Sequence, residues 1–437
     1  MKLCLISPNA QKLQRANFLL FTILLFLVTT CNSVEPPSGL EINLKLEDVS
    51  CTEAWITLST TNFRLPTSIT LKQNSQVIKT INLTKPDSLF YLDSLLPNTS
   101  YQYQASNSQY QVTSNQIQLT TLDTTSHNFT FTSYQFGEHS SSTLYDVAII
   151  DENNIWAVGE IYMNDSLGQH DPNAYNALHW DGNDWKLMKI MFYTICGQQS
   201  RSSYPASSIF AFSESDIWIA DYGDQVTKLN GTAQVATYCL PISFSIFKLW
   251  GDNPNSLYMV GDMGKIVHYQ NGNWSEIASG TTTNINDIWG VNNSVNNENL
   301  ILSTVSSRFQ TGDYKLLSIS SGTVSSFNWG FERLYGVWFN SGRAIYVVGD
   351  DIHIYKNNRW ETLNLTDYFL TRVKGTTLNN IFVAGCCNIL FHFNGVSWKE
   401  MEGINGEFEG LDVKGNIIIS VGWENSKAII LMGKRIN

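Results

Sequence analysis

The sequence has few charged residues and no sustained helical pattern. Only 15% of its 437 residues are Asp, Glu, Lys or Arg, whereas 43% are hydrophobic and 12% are aromatic. No 3.6-residue hydrophobic period persists beyond the N-terminal segment, which argues against a helical fold. Short alternating segments separated by polar turns are typical of β-strands, because aromatic and β-branched side chains pack well on a pleated surface. The sequence therefore predicts an all-β protein.

Basic residues are scarce, with 27 Lys and Arg against 38 Asp and Glu. The first 30 residues contain three bases and no acid, so the rest of the chain holds 24 bases and a formal charge of −14. A surface of that sign repels phosphate, so we do not expect nucleic acid as a partner. Since the acidic residues are scattered along the chain, their main effect is to keep the protein soluble.

The local motifs of common catalytic and metal sites are missing. The sequence has no P-loop, no Gly-x-Ser-x-Gly, no His-Glu-x-x-His and no EF-hand loop. Four histidines stand six or seven residues before a recurring tryptophan: His179, His268, His353 and His392. Equivalent positions on separate repeats cannot converge on one ion, so we read these histidines as structural. We expect no metal and no cofactor.

Residues 1–30 have the pattern of a secretory signal peptide. A basic stretch precedes FLLFTILLFLV, an apolar run too short to cross a bilayer as a helix. The following LVTTC, which ends at Cys31, resembles the lipobox of bacterial lipoproteins. The resemblance implies an exported protein held at the cell envelope or surface by a lipid on Cys31, with residues 31–36 as a tether. Ordinary cleavage, giving a soluble secreted protein, is the alternative.

Besides Cys31, the chain beyond the signal segment contains five cysteines: Cys51, Cys196, Cys239, Cys386 and Cys387. Because five is odd, at least one thiol has no partner within the chain. Cys196 and Cys239 flank one repeat, and we expect them as a possible disulfide in an oxidising compartment. The adjacent pair Cys386 and Cys387 is poorly spaced to chelate one metal ion together.

Residues 37–123 contain strand-like segments such as EAWITLST, in which Trp55 belongs to a half-buried alternating pattern. The later LLPNTSYQYQA resembles the fibronectin type III signature, whose positions are filled by Leu95, Pro97, Thr99 and Tyr101. In that family the tyrosine hydroxyl bonds a backbone group a few residues upstream. The resemblance implies a β-sandwich that serves as a stalk or a binding module and carries no catalytic residues.

Residues 124–437 repeat one pattern. Strand starts recur at Leu144, Ile209, Ile246, Ile285, Leu334, Leu370 and Phe408. Most copies continue into a second strand such as LYMVGD and a third that ends in a tight turn and a tryptophan, as in IVHYQNGNW. Four short strands in roughly 40 residues is typical of a β-propeller blade. We predict seven blades over 144–437, or six if the degenerate fourth copy is not a blade.

The last copy ends after its third strand, KAIILMGKR, and has no closing tryptophan. An unassigned strand, NFTFTSYQF at 128–136, precedes the first copy. We expect it to complete the last blade, because pairing the two ends removes an exposed sheet edge. The repeats resemble bacterial secreted propellers with IWAVG…G…W units. They lack the Gly-His of WD40 repeats, the Gly-Gly of kelch repeats and the Asp boxes of sialidases.

Two insertions interrupt the first copy, EIYMNDSLGQHDPNAYNA and IMFYTICGQQSRSSYPAS. Irregular loops on a regular scaffold are common sites of function. The candidate ligand-binding residues are therefore Tyr162, His170, Asp171, Tyr175, Tyr193, Arg201 and Tyr204. We predict a non-catalytic, monomeric binding or scaffolding protein whose propeller recognises a protein or a glycan.

The alternative function is a carbohydrate-active enzyme, of glycosidase or glycan lyase type, that works at the central face of the propeller. Such an enzyme would bring charged groups from several first strands to one mouth of the channel. The candidates on those strands are Asp146, Asp287, Arg372 and Asp412. A purely structural envelope protein is the third possibility.

Overall fold

The computed structural model describes residues 39–293, 298–307 and 313–436. The predicted signal peptide, Cys31 and the tether 31–36 lie outside these ranges. The described residues are mostly β-strand, and their only helical segment is a single 3-10 turn at Asp262–Gly264. None of the described residues forms a helix with the length and apolarity that crossing a membrane requires.

The described part of the chain divides into two compact units. The first contains the described residues up to Lys45 together with Thr57–Ser88 and Gln102–Ile117. The second contains Leu46–Ile56, Leu89–Tyr101 and the described residues from Gln118 onwards. Short pieces of the predicted sandwich segment thus pack as part of the larger unit. Trp55, for instance, belongs to a buried cluster with Trp338 and Val373.

The N-terminal strands form two sheets. Their bounds are β1 (Glu41–Val49), β2 (Ala54–Thr61), β3 (Thr67–Gln73), β4 (Gln76–Leu83), β5 (Asp87–Leu92), β6 (Ser100–Asn107) and β7 (Val112–Thr120). One sheet has the order β1-β2-β5 and the other β4-β3-β6-β7. The backbone N–H of Leu96 donates to the Tyr101 hydroxyl at 2.9 Å, the contact expected of a tyrosine corner. The fibronectin type III assignment itself stays a prediction.

The larger unit contains seven four-stranded sheets among its described residues. The first three are β9 (Thr143–Asp151), β10 (Asn154–Ile161), β11 (Tyr175–Trp180) and β12 (Trp185–Met188); β15 (Ala206–Ser213), β16 (Asp216–Asp221), β17 (Gln225–Asn230) and β18 (Ala233–Cys239); and β19 (Ile246–Asn253), β20 (Ser256–Gly261), β21 (Ile266–Gln270) and β22 (Asn273–Ile277). A separate two-stranded hairpin, β13 (Phe192–Tyr193) and β14 (Arg201–Ser202), lies between the first and second sheets in the chain.

The next three sheets are β23 (Ile285–Asn293), β24 (Glu298–Val305), β25 (Lys315–Ser320) and β26 (Thr323–Phe327); β27 (Leu334–Trp338), β28 (Ala344–Gly349), β29 (Ile352–Lys356) and β30 (Arg359–Thr362); and β31 (Leu370–Thr377), β32 (Asn380–Gly385), β33 (Leu390–Phe393) and β34 (Trp398–Glu400). The last sheet combines β35 (Glu407–Lys414), β36 (Ile417–Glu424) and β37 (Lys427–Arg435) with the much earlier β8 (Phe129–Phe136). β8 runs antiparallel to β37, from Phe136 opposite Ala428 to Phe129 opposite Arg435.

The sheets are arranged in a closed ring. The first strands of successive sheets contact one another in chain order, from β9 through β15, β19, β23, β27 and β31 to β35, and β35 in turn contacts β9. Buried clusters fill the spaces between neighbouring sheets. One of them joins Trp156 and Val158 of the first sheet to Ile209 and Ile219 of the second. Because each sheet buries both faces against its neighbours, inner strands such as β20 and β28 are buried along their whole length, whereas outer strands such as β26 and β30 are partly exposed.

A β-bulge recurs near the start of the first strand in all seven sheets. In β9, for example, the pairing with β10 skips Tyr145, which lies between the paired residues Leu144 and Asp146. The equivalent skipped residues are Ser207, Phe247, Asn286, Tyr335, Thr371 and Glu409. A bulge redirects a side chain and strengthens the local twist. This register also places Ile209, predicted as a strand start, at the fourth position of β15.

Candidate functional site

Polar side chains occupy the position that follows the bulge in five of the seven sheets. They are Asp146, Ser208, Lys248, Asp287 and Arg372, with Gly336 and Gly410 at the two remaining positions. All five polar residues are buried. Charges at such a depth are costly unless they are paired or hydrogen-bonded, so their partners determine what these residues do.

Asp146 and Lys248 form a buried ion pair between the first and third sheets. The Lys248 Nζ lies 2.5 Å from Asp146 Oδ1, and the two side chains are 7% and 1% exposed. Asp146 Oδ2 accepts hydrogen bonds from Ser208 Oγ at 2.7 Å and from the backbone N–H of Ile209 at 2.9 Å. Burial raises the pKa of Asp146, but Lys248 and these donors outweigh burial and hold the pKa below its usual value.

Asp287 and Asp412, the other two aspartates predicted on first strands, also accept hydrogen bonds from backbone amides of a neighbouring sheet. Asp287 Oδ2 accepts from the N–H of Val337 at 3.0 Å, and Asp412 Oδ2 accepts from the N–H of Ile149 at 2.7 Å. The Asp412 contact joins the last sheet of the ring to the first. These hydrogen bonds connect the first strands of adjacent sheets, which is a structural role that any ring of this type requires.

The second insertion of the first copy forms the β13–β14 hairpin, which is held in place by three connections. Cys196 of the hairpin forms a disulfide with Cys239 at the end of β18. The Gln225 side chain accepts from the N–H of Tyr193 and donates to its carbonyl oxygen, both at 2.9 Å. Gln234 makes the same pair of contacts with the backbone of Met191. The hairpin is therefore fixed to the second sheet.

A cavity of about 590 Å³ lies beside this hairpin. Its lining includes Tyr193, Tyr204, Tyr222, Phe244, Asp221, Asp224 and Asp262, and among the described residues it contains no Lys, Arg or His. Tyr222 is 48% exposed and Tyr204 37% exposed. The Tyr222 ring lies 5.6 Å from that of Tyr145 and 6.0 Å from that of Phe247, measured between ring centroids. Tyr145 and Phe247, which are skipped at the bulges of β9 and β19, thus extend the aromatic surface of the cavity towards the centre of the ring of sheets.

Asp221 is the most deeply placed carboxylate of this cavity. It is 5% exposed, and its Oδ1 accepts from the N–H groups of Gly223 at 3.0 Å and Gln225 at 2.9 Å. Burial raises the pKa of Asp221 to about 6, although these two backbone donors act in the opposite direction. Asp221 therefore carries its negative charge at neutral pH.

The seven candidate residues fall into two groups, and only Tyr193 and Tyr204 line this cavity. Arg201 lies next to them, with its guanidinium 4.3 Å from the centroid of the Tyr193 ring.

The other four candidates belong to the first insertion. The Tyr162 hydroxyl donates to Glu160 at 2.9 Å, and the His170 ring stacks on that of His139 with centroids 3.9 Å apart. Lys189 bridges the last two candidates, because its Nζ lies 2.7 Å from Asp171 and 4.5 Å from the Tyr175 ring centroid. None of these four lines the cavity, but Tyr162 shares the Glu160 carboxylate with Tyr145, whose hydroxyl donates to it at 2.8 Å.

Cys386, Cys387 and Glu407 bring one ligand atom each to within 4.8 Å of one another. The two sulfur atoms are 3.1 Å apart, since Cys387 adopts a left-handed backbone conformation with φ of 63°. From their adjacency in the chain, Cys386 and Cys387 were predicted to be poorly placed to chelate one metal ion together. Three ligand atoms are one short of a closed tetrahedral zinc site, so the group does not complete such a site by itself.

No protein-family model matches the sequence, and neither does any curated protein. Among solved structures, YCF48 bound to the D1 peptide is similar, with a TM-score of 0.51 and 16% identity over 70% of this chain and 97% of that chain. The WD40 β-propeller domain of Doa1 gives a TM-score of 0.48 and 13% identity over 70% of this chain and 96% of that chain. This chain has a β-propeller fold. The propeller contains every residue of the cavity beside the hairpin.

Lys248 and Lys374 are the important residues that the sequence analysis missed. Both lie on first strands, and Lys248 occupies the same bulge-related position as Asp146. When the seven predicted strand starts are aligned, Lys248 is the third residue of its copy, as Asp146, Asp287 and Arg372 are of theirs. Lys374 lies two residues further along its strand than Arg372, which is the corresponding position in β31.

Proposed function

We propose that this chain is a non-catalytic binding protein whose propeller holds a segment of a protein partner in the cavity beside the β13–β14 hairpin. The observation that carries this proposal is the fixed hairpin itself. A disulfide and two glutamine side chains hold the insertion that forms this hairpin, and Tyr193 of the hairpin lines an open aromatic cavity. A binding loop held in one conformation loses little entropy on binding.

The lining of the cavity favours a basic peptide segment over other ligands. Tyrosine rings attract cations through their faces, and the carboxylates of Asp221, Asp224 and Asp262 add negative charge. We infer that a Lys or Arg side chain of the partner enters the cavity while the flanking residues contact Tyr204 and Tyr222. The similar structure of YCF48 is bound to a peptide, which is the reason for preferring a peptide to a glycan.

The carbohydrate-active alternative has less support. A glycosidase needs two carboxyl groups that face each other across one site. Asp146 is instead buried and paired with Lys248, and the partly buried Asp412 accepts from a backbone amide. Arg372 donates to the carbonyl oxygen of Thr371 and lies 5.3 Å from the centroid of the Tyr335 ring.

We also propose that the protein is exported and lipid-anchored through Cys31, with the N-terminal sheets as a spacer of fibronectin type III type. The Cys196–Cys239 disulfide supports export, because such bonds persist in oxidising compartments. Metabolic labelling with a fatty-acid analogue would test the anchor, and Cys31→Ser should abolish the label.

The binding proposal is tested by selecting peptides from a random display library on the chain from residue 32 onwards. We expect the selected peptides to be enriched in Lys and Arg. Tyr222→Ala should weaken their affinity by roughly tenfold or more, as removal of a central aromatic contact does in other interfaces. Tyr368→Ala is the matched control, because Tyr368 is exposed to a similar degree, 51%, and lies outside the cavity lining.

The same experiment separates binding from catalysis and peptides from glycans. Mass spectrometry of the bound peptides after prolonged incubation should show them unchanged, whereas cleavage or modification would identify an enzyme. On a parallel glycan array, any signal given by the wild type should be the same for Tyr222→Ala. If no peptide is selected, or if Tyr222→Ala and Tyr368→Ala weaken binding equally, the proposed site is wrong.

A further inference from the structure

The ammonium group of Lys374 has no hydrogen-bond acceptor among the described residues, although the residue is only 5% exposed. Its Nζ lies 3.7 Å from the centroid of the Trp289 ring. That ring is fixed by a hydrogen bond of 2.7 Å from its own Nε1 to the carbonyl oxygen of Phe339. A cation–π contact compensates part of the cost of burying an ammonium group, but it does not replace a hydrogen-bond acceptor.

Five other charged groups lie on the strands around Lys374. They are Asp146 on β9, Lys248 on β19, Asp287 on β23, Arg372 on β31 and Asp412 on β35. Asp146 pairs with Lys248, while Asp287 and Asp412 accept from backbone amides. Burial lowers the pKa of Lys374 to about 8; Lys248 acts in the same direction, and the three aspartates oppose it. The amine is therefore mostly protonated at neutral pH.

Lys374 lines a second cavity, of about 380 Å³, that shares no residue with the cavity beside the hairpin. The walls of this second cavity are mainly apolar and include Val147, Ile149, Ile209, Phe210, Leu249, Leu411 and Val413, while Lys248 and Asp412 are charged residues of the same lining. Thr376 and Lys414, which also line it, are exposed and mark its open side. The volume is within the range that holds a small organic molecule.

We propose that this second cavity binds a small apolar monocarboxylate, with the carboxylate on Lys374 Nζ and the hydrocarbon part against the apolar walls. The carboxylate of the ligand supplies the acceptor that the buried ammonium group lacks, in a charge-assisted hydrogen bond. Lys374 offers a ligand one ammonium group without a hydrogen-bond acceptor, and the nearby Asp287 and Asp412 disfavour a second negative charge. This site is independent of the proposed peptide site, so either can exist without the other.

Hexanoate is a suitable probe, and hexanol and hexylamine are the neutral and cationic controls. In calorimetric titrations of the chain from residue 32 onwards, hexanoate should bind and both controls should bind at least tenfold more weakly. Lys374→Met should weaken hexanoate binding at least tenfold. Lys414→Met, which removes another lysine of the same cavity whose Nζ donates to the Ile150 carbonyl oxygen, should change the affinity less than twofold.

A measurement on the unmodified protein covers the case in which Lys374→Met does not fold. Hexanoate affinity should fall about tenfold between about pH 7 and about pH 9, because Lys374 loses its proton in that range. The proposal is overturned if hexanoate binds no better than hexanol, if its affinity is constant over this pH range, or if Lys414→Met rather than Lys374→Met removes binding.

Discussion

Replacing Lys248 with methionine should destabilise the propeller strongly, because it leaves the Asp146 carboxylate buried without its counter-ion. Asp146 is 1% exposed and keeps only two donors in the variant, Ser208 Oγ and the N–H of Ile209. Removing one partner of a buried ion pair typically costs ~3–5 kcal/mol, and methionine preserves most of the volume of the lysine stem. We expect a loss of about that size in the free energy of unfolding near pH 7.

Two comparisons isolate the charge from the packing. The double variant Asp146→Asn with Lys248→Met should be more stable than Lys248→Met alone, because no uncompensated charge remains in it. Lys189→Met breaks the Lys189–Asp171 pair, whose side chains are 29% and 18% exposed. That pair is partly solvated, so its loss should cost less than about 1 kcal/mol.

The pH dependence of the Lys248→Met variant has a definite sign. In the wild type the folded-state pKa of Asp146 is lowered, so its contribution to stability is present above the unfolded value and is lost as the pH falls. Without Lys248, burial dominates and raises the folded-state pKa of Asp146 above the unfolded value. The difference in stability between wild type and variant should therefore shrink from about pH 7 to about pH 4.

Urea unfolding followed by tryptophan fluorescence measures all of these stabilities. A difference below about 1 kcal/mol between wild type and Lys248→Met near pH 7, or a difference that grows on acidification, would refute the reasoning.

Three further changes test other parts of the structure. The Cys196→Ser and Cys239→Ser double variant should lose about 4 kcal/mol of unfolding free energy in the chain-entropy account, since the disulfide closes a separation of 43 residues, and thermal unfolding with and without reductant checks this. Tyr101→Phe removes the acceptor of the Leu96 N–H, which water can reach because Leu96 is mostly exposed, and should cost ~0.5–1.5 kcal/mol in urea unfolding. Thr132→Pro should disrupt the pairing of β8 with β37 and raise protease sensitivity near residue 132, whereas Thr130→Ser should not.

Repeat spacing made the ring predictable, because each copy carries its own strand and turn signals. Asn-Gly and Asp-Gly turns and the tryptophan after each third strand mark a sheet locally, without reference to any other copy. The strand proposed at 128–136 was inferred from the missing fourth strand of the last copy, and in the structure β8 pairs with β37 across 292 to 306 residues of sequence separation. The missing strand can be recognised only because the other copies show how many strands a full copy has.

The polar interior was not predictable in the same way. Asp146 and Lys248 are 102 residues apart, and their contact depends on the ring bringing the third sheet near the first. The bulge that positions both residues leaves no clear mark in the sequence, since the skipped residue is tyrosine in one copy and phenylalanine in another. Lys374 was missed for a related reason, because an isolated lysine in a strand ordinarily indicates a solvent-exposed position.

The insertions were identified from the sequence, but their arrangement was not. Tyr193, which lies in the hairpin, and Tyr204, which follows it, line one cavity because two glutamines and a disulfide hold the hairpin in place. These connections come from β17 and β18, which carry no insertion of their own. Tyr162 and Asp171 instead interact with residues of the first insertion and its surroundings, which loop length alone could not distinguish.

The location of the peptide site is the central claim, and hydrogen–deuterium exchange with a selected peptide tests it most directly. On peptide binding we expect slower exchange at residues 193–205 and 221–225, with little change in the fifth and sixth sheets. Protection confined to those distant sheets, or to the N-terminal sheets, would contradict the account and place the recognition surface elsewhere on the molecule.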